Sequence, residues 1–188
     1  MAERVAVIGA GIAGLGTAMA LARAGRTITI VERDPPAPDN VETAFDTWER
    51  KGVTQLRHSH VFLGKLVSLI RDRHPRLHRM LREAGAREFD FEAALPQALR
   101  GIYAQDEADR DLSFLFSRRT TLEHVMRAYV LSLPGVDFMT ETAVRSLTLD
   151  RASAIAKVTG LMIERNGGPP ARLEADVVVD ASGRNTVL

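Results

Sequence analysis

The period of apolar positions changes along the chain, and each change assigns an element. Val5-Ala6-Val7-Ile8 is a short unbroken apolar run closed by a glycine, the mark of a buried strand, and an alanine-rich helical stretch follows it. Gly25 sits where that helix should stop, and Thr27 to Val31 reads as a second strand ending in the acid Glu32. Arg33-Asp34-Pro35-Pro36-Ala37-Pro38-Asp39-Asn40 cannot continue a strand, and few regular elements are expected before His60. The long segment contains Phe45, Trp48, Gln55 and Arg57, so it reads as an ordered functional loop rather than a linker.

From His60 to Arg73 the residues Val61, Phe62, Leu66, Leu69 and Ile70 suit a buried helix face, interrupted at His74-Pro75. A second helix carries Leu77, Met80, Leu81 and Ala84 and stops at Gly85. Phe89 to Phe91 and Leu99 to Tyr103 are short strand candidates, Asp106 to Asp111 an exposed turn, and Leu112 to Phe116 a further strand. Leu122, Val125, Met126, Tyr129, Val130 and Leu133 form one helical stripe that Pro134-Gly135 ends. Val136 to Met139 is expected in the main sheet. Thr142 to Leu149, Ala154 to Glu164 and Arg172 to Val179 then make a meander, with Asn166-Gly167-Gly168 at its last turn, crossing from one parallel strand to another. Val177-Val178-Val179 has the continuity of a buried parallel strand.

Composition narrows the function classes. The 188 residues suit one domain, 45% hydrophobic and 26% charged, as in soluble globular proteins. A net charge of +1 argues against nucleic acid or an anionic membrane as partner. The cations are mostly scattered arginines and read as solvated surface. The absence of cysteine excludes disulfides, thiolate metal sites and thiol redox chemistry. Val5 to Ala24 is apolar enough to imitate a secretion signal, but its glycine spacing and lack of a cleavage pattern argue otherwise, and a cytoplasmic protein is expected.

The chemistry-bearing pattern is Gly9-Ala10-Gly11-Ile12-Ala13-Gly14 between strand and helix, with Glu32 closing the second strand. The first glycine lets the strand turn into the helix, Gly11 clears space for a pyrophosphate and Gly14 brings helix and strand together. The helix start offers free N–H groups and a positive dipole end. Glu32 can accept from both ribose hydroxyls of an adenosine and would repel a 2′-phosphate, favouring NAD or FAD over NADP. The alternative is a tight turn in some other α/β protein. The fold class expected is α/β, a Rossmann-like FAD/NAD(P)-binding fold with a parallel central sheet and an antiparallel three-stranded crossover meander.

With Val178-Val179-Asp180-Ala181-Ser182-Gly183-Arg184 added, the chain resembles the N-terminal portion of FAD-dependent oxidoreductases of the aromatic-ring monooxygenase, squalene-epoxidase-like, geranylgeranyl-reductase-like and flavin halogenase group. The resemblance covers essentially all 188 residues and implies an FAD-binding domain over 1–188. It places Arg33 over the adenine and brings the segment Trp48 to His60 under the flavin, with Gln55 and Arg57 reaching the ribityl, diphosphate or isoalloxazine region. It matches Ser117 to Glu123 to the family's arginine at a helix start, favouring Arg119 over Arg118. It also sets the backbone of Val144 near the adenine and the turn Asp180 to Gly183 against the cofactor.

The implied activity is monooxygenation of a hydrophobic or aromatic small molecule with O2, with NAD(P)H as a transient electron donor. The alternatives are a non-catalytic nucleotide-binding remnant and an FAD-dependent reductase or halogenase relative. Members of the group carry a later Gly-Asp motif and a sheet walling the substrate pocket, neither of which is recognisable here. The C-terminal flavin-binding and substrate segments are therefore expected to be missing, with self-association through an uncovered apolar patch as a corollary. Arg57, Arg118 and Arg119 could each be surface arginines, Trp48 a packing residue and Asp180 a turn cap. His58 and His60 lack a third metal ligand, His74 and His78 read as a solvated pair, and Ser182 lacks the context of a hydrolase nucleophile.

Overall fold

The structure is a computed structural model that describes residues 2–104, 106–183 and 186. In chain order the first elements are β1 (Arg4–Ile8), α1 (Ile12–Arg23), β2 (Thr27–Val31), α2 (Val41–Thr47), β3 (Ser59–Phe62) and α3 (Gly64–Arg73). Then come α4 (Pro75–Glu83), β4 (Arg87–Asp90), α5 (Phe91–Ala94), α6 (Gln97–Arg100), β5 (Ser113–Arg118) and α7 (Arg119–Leu131). The last are β6 (Val136–Met139), β7 (Thr142–Asp150), β8 (Lys157–Arg165), β9 (Ala171–Glu174) and β10 (Val177–Asp180). The chain divides into two compact units: Met1–Ala37 with Glu49–Thr54 and Met126–Leu188, and Pro38–Trp48 with Gln55–Val125.

The first unit holds a parallel sheet in the order β10-β1-β2-β6 and an antiparallel meander, β7-β8-β9. Val5, Ala6, Val7 and Ile8 of β1 are all buried, so side chains on both faces of the strand are covered, which explains their unbroken apolar run. The meander closes one core cluster, in which Val144, Leu161, Ile163 and Ala175 pack with Ala6, Ile8 and Val31. Its path from β6 to β10 is the expected crossover.

Arg172 to Val179 is not one strand. The chain changes partners at Ala175-Asp176: the Ala175 N–H donates to the Thr159 carbonyl in the meander, and the Asp176 N–H donates to the Arg4 carbonyl beside β1. An unbroken β-propensity run cannot reveal such an exchange, because both halves are extended. Strand β10 lies at the edge of the sheet, which leaves Val177 37% exposed instead of buried. The strand expected from Ala154 begins at Lys157, after the exposed Ile155.

The second unit is built on the antiparallel sheet β3-β5-β4. Phe62 and Leu115 pair across it and are buried, as are Val67 and Ile70 of α3 and Leu77 and Leu81 of α4. Four expectations are corrected here. The segment before His60 contains α2, whose start is fixed by the Asn40 side chain accepting the Glu42 N–H at 2.7 Å. His60 opens no helix: Ser59 to Phe62 pairs with β5, and the helix begins at Gly64. Leu99 lies in the helical turn α6 rather than a strand, and Phe91 starts α5. His74 and His78 are no solvated pair, because His74 is buried and His78 Nε2 lies 2.9 Å from Glu88 Oε2.

Candidate functional site

The turn from β1 into α1 separates the three glycine roles. Gly9 has φ +93°, and a Cβ there would stand 2.7 Å from the Ala181 carbonyl oxygen. A Cβ on Gly14 would lie 1.9 Å from the Gly9 carbonyl oxygen, so helix and turn meet at a distance no side chain permits. At Gly11, which caps α1 in an extended conformation with φ −77°, an added Cβ would meet nothing within 4 Å. Gly9 and Gly14 are thus required by the chain's own backbone, whereas the space at Gly11 is open. The first N–H groups of α1 have no intrahelical acceptors and face that end of the helix. Open space plus free donors is what an anionic diphosphate needs. Ala10 is fully buried, Ile12 is half-buried and Ala13 is exposed.

Glu32 follows β2 and is only 4% exposed. Its Oε1 accepts the Asp34 N–H at 3.1 Å, and its Oε2 accepts the Ala10 N–H at 2.9 Å. Two buried arginines complete the cluster. Arg50 Nη2 pairs with Glu32 Oε2 while its Nε stands 3.3 Å from Asp34 Oδ2. Arg127, carried on α7, donates from Nη2 to the Ala10 carbonyl at 3.2 Å and reaches Glu32 Oε2 at 3.3 Å. Burial alone would raise the Glu32 carboxyl pKa. Arg50, the Asp34 and Ala10 N–H groups and Arg127 outweigh it and hold the pKa below the usual glutamate value. Asp34 shifts upward, because burial and the Glu32 charge together exceed the help of Arg50.

The expectation that the arginines are solvated surface fails at these two positions, whose side chains are 3% and 4% exposed. Sequence reasoning passed over Arg127 although it shares a turn of α7 with the buried stripe; a cation on the apolar side of an amphipathic helix is the signal that could have found it. The two guanidiniums also balance Glu32 and Asp34, so the rejection of a 2′-phosphate cannot rest on an unopposed carboxylate charge.

The other expected site residues fall as follows. Arg33 is exposed, and its Nη2 would lie 2.9 Å from a Cβ on Gly52. Val144 is 8% exposed within the core cluster, beside a bulge between Val144 and Ser146. Asp180 accepts from the Ser182 N–H at 2.9 Å, the Ser182 hydroxyl at 2.6 Å and the Thr186 hydroxyl, and these bonds hold its pKa below the usual aspartate value. Gly183 has φ +95° with open space around it; Arg184 lies outside the described residues.

In the second unit Gln55 and Arg57 are exposed. Arg57 donates to the Phe45 carbonyl at 3.0 Å and to the Asp46 carbonyl at 3.2 Å, near the C-terminal end of α2. Arg118 stacks over the Phe45 ring, 4.4 Å from its centroid. Arg119 donates to the fully buried Glu123 at 2.6 Å. Trp48 is a packing residue, 1% exposed with its ring edge against His124. His60 has its pKa lowered by burial and by Arg119, and no group of three potential metal ligands exists among the described residues. No described helix is long and apolar enough to cross a membrane.

Comparison with known proteins agrees with the glycine cradle. Residues 4–91 match the model of the family described as FAD dependent oxidoreductase. No curated protein matches the chain in sequence. Among solved structures, p-nitrophenol 4-monooxygenase PnpA from Pseudomonas putida DLL-E4 is similar with a TM-score of 0.64 and 17% identity, over 99% of this chain and 42% of that one. The protein pqsL of Pseudomonas aeruginosa, described as a probable FAD-dependent monooxygenase, gives 0.58 and 15%, over 92% and 40%. THI4 of Thermovibrio ammonificans gives 0.59 and 18%, over 97% and 58%. At such identities the likeness establishes the fold. The chain spans between 40% and 58% of the length of these three proteins. The match lies in the N-terminal region, and the fold is the Rossmann-type fold of the flavoproteins.

Proposed function

We propose that this chain is an FAD-dependent oxidoreductase domain that holds the adenosine and diphosphate half of FAD for a monooxygenase that takes electrons from a nicotinamide donor and inserts oxygen from O2 into a hydrophobic or aromatic small molecule. The observation that carries the cofactor reading is the division of labour among the glycines: two are demanded by backbone contact, and the third faces space that the protein leaves open. Gly11 and the start of α1 would hold the diphosphate, whose charge the N–H donors and the helix dipole would meet. Glu32, held ionised and oriented by Ala10, Asp34, Arg50 and Arg127, would accept from the ribose. Bound FAD supplies the redox chemistry, while the chain binds and orients it. Oxygen insertion is supported by the likeness to PnpA, a p-nitrophenol 4-monooxygenase, and to pqsL, a probable FAD-dependent monooxygenase.

Two measurements test the reading. An absorbance scan of the purified protein is expected to show a flavin spectrum, and thermal-shift titration should give stabilisation by FAD and ADP. A colourless protein stabilised by neither overturns the cofactor assignment. Binding of ADP without any flavin would replace it with a nucleotide-binding role. In a monooxygenase that contains this domain, NAD(P)H oxidation coupled to hydroxylation of an aromatic substrate is the result expected; reduction of the substrate without oxygen incorporation overturns that part.

A further inference from the structure

Residues 78–89 of the second unit border a cleft of about 650 Å3 between α4 and β4. That size lies within the range of about 300–1,000 Å3 typical of small-molecule sites. Helix α4 buries Leu77 and Leu81 and leaves Arg79 and Arg82 exposed, while the two-residue period of β4 sends Arg87 and Phe89 to one side of the strand. All four side chains line the cleft.

This lining combines two features. Arg4, Arg50, Arg71, Arg119, Arg127 and Arg145 each have a carboxylate partner. Among the described residues Arg79, Arg82 and Arg87 have none, although Glu83 and Glu88 also border the cleft and Glu88 is taken by His78 at 2.9 Å. Three guanidiniums against two carboxylates leave the lining net positive. Beside them Phe89 is 42% exposed, its ring set edge-on to Phe116 at 5.4 Å, and Phe116 is 41% exposed. Solvated arginines need no aromatic neighbour, and an aromatic pair has no need of three cations. A ligand carrying both an aromatic ring and a negative charge satisfies the two features at once.

We propose that this cleft is a binding site for a planar aromatic carboxylate, with the ring against Phe89 and the carboxylate among the guanidiniums of Arg79, Arg82 and Arg87. None of the dinucleotide-cradle residues lines it, and the assignment does not rest on the FAD reading.

Naphthoate, titrated into the full chain and followed by its fluorescence, is the probe. Saturable binding is expected. The neutral naphthamide and the non-aromatic cyclohexanecarboxylate should each bind at least about tenfold more weakly, the loss of a charge-assisted bond or of a ring contact. The double variant Arg82→Gln/Arg87→Gln should lose at least about tenfold in naphthoate affinity with an unchanged melting temperature, since both side chains are exposed. Phe89→Leu should abolish the preference for naphthoate over cyclohexanecarboxylate. Gly11→Val should leave naphthoate binding intact. Absence of saturation, indifference to the arginine replacements, or inorganic phosphate competing at equal affinity would overturn the proposal. So would loss of naphthoate binding in Gly11→Val, which would put the ligand in the dinucleotide cradle.

Discussion

The glycine turn with its Glu32 cluster and the segment around Arg57, Arg118 and Arg119 both carry cofactor-site expectations, yet they are built in different ways. In the first, the motif residues are fixed by backbone: Gly9 and Gly14 are in contact with main-chain carbonyls, and Glu32 accepts two main-chain N–H groups besides its arginines. In the second, the arginines are held by side chains and helix ends: Arg57 on the carbonyls of Phe45 and Asp46, Arg118 on the Phe45 ring, Arg119 on Glu123. A spacing pattern can encode the first kind of site, since local geometry builds it. The second kind depends on partners that no spacing announces.

The sharpest break in that comparison lies within the turn itself. Gly14→Val should prevent native folding of the first unit, because its Cβ would collide with the Gly9 carbonyl, and loss of the cooperative thermal transition is the readout. Gly11→Val should leave the transition in place, given the open space at that position, and abolish ADP and FAD binding by calorimetry. Equal loss of folding in both variants would remove the distinction between backbone contact and ligand space.

Next in size are the buried ion pairs, one in each unit. Arg127→Met leaves Glu32 with Arg50 as its remaining guanidinium, and Arg119→Ala leaves the fully buried Glu123 without that partner. Breaking a buried pair costs about 3–5 kcal/mol, and chemical denaturation of the apo protein measures it. The two should differ in ligand response: Arg127→Met is expected to weaken ADP binding, since it removes the guanidinium that bridges the Ala10 carbonyl and Glu32. Unaltered ADP affinity there would reduce Arg127 to a packing role.

Acid separates the regions more gently. The folded-state pKa of Glu32 lies below its unfolded value, so its contribution to stability is present above about pH 4.3 and is lost as pH falls through the lowered folded value. Asp34, shifted upward, works in the opposite direction: its ionised form costs stability as pH rises through the folded value. Glu32→Gln should therefore flatten the acid limb of the stability curve. An unchanged limb would show that other carboxylates dominate it. The smallest effect is expected of Arg57→Ala, whose exposed side chain contributes two hydrogen bonds to carbonyls, on the order of 1 kcal/mol to apo stability. A tenfold or larger loss of FAD affinity in that variant would bring Arg57 into the cofactor site.

Local chemistry was legible wherever neighbours in sequence are neighbours in space. The strand Thr27 to Val31, the helix stopping at Gly25, the strand Val136 to Met139 and the glycine cradle all follow from periods and turn residues within a few positions. The tertiary structure decided what depends on partners elsewhere. It split Arg172 to Val179 between two sheets, because Ala175 and Asp176 bond to Thr159 and Arg4. It made Ser59 to Phe62 a strand, because β5 supplies the opposite edge. It also placed Arg50 and Arg127 in the interior, where Glu32 and Asp34 balance their charge. A sequence states which groups can pair; long-range packing chooses among the pairings, and a buried guanidinium is tolerated only where its carboxylate is brought to meet it.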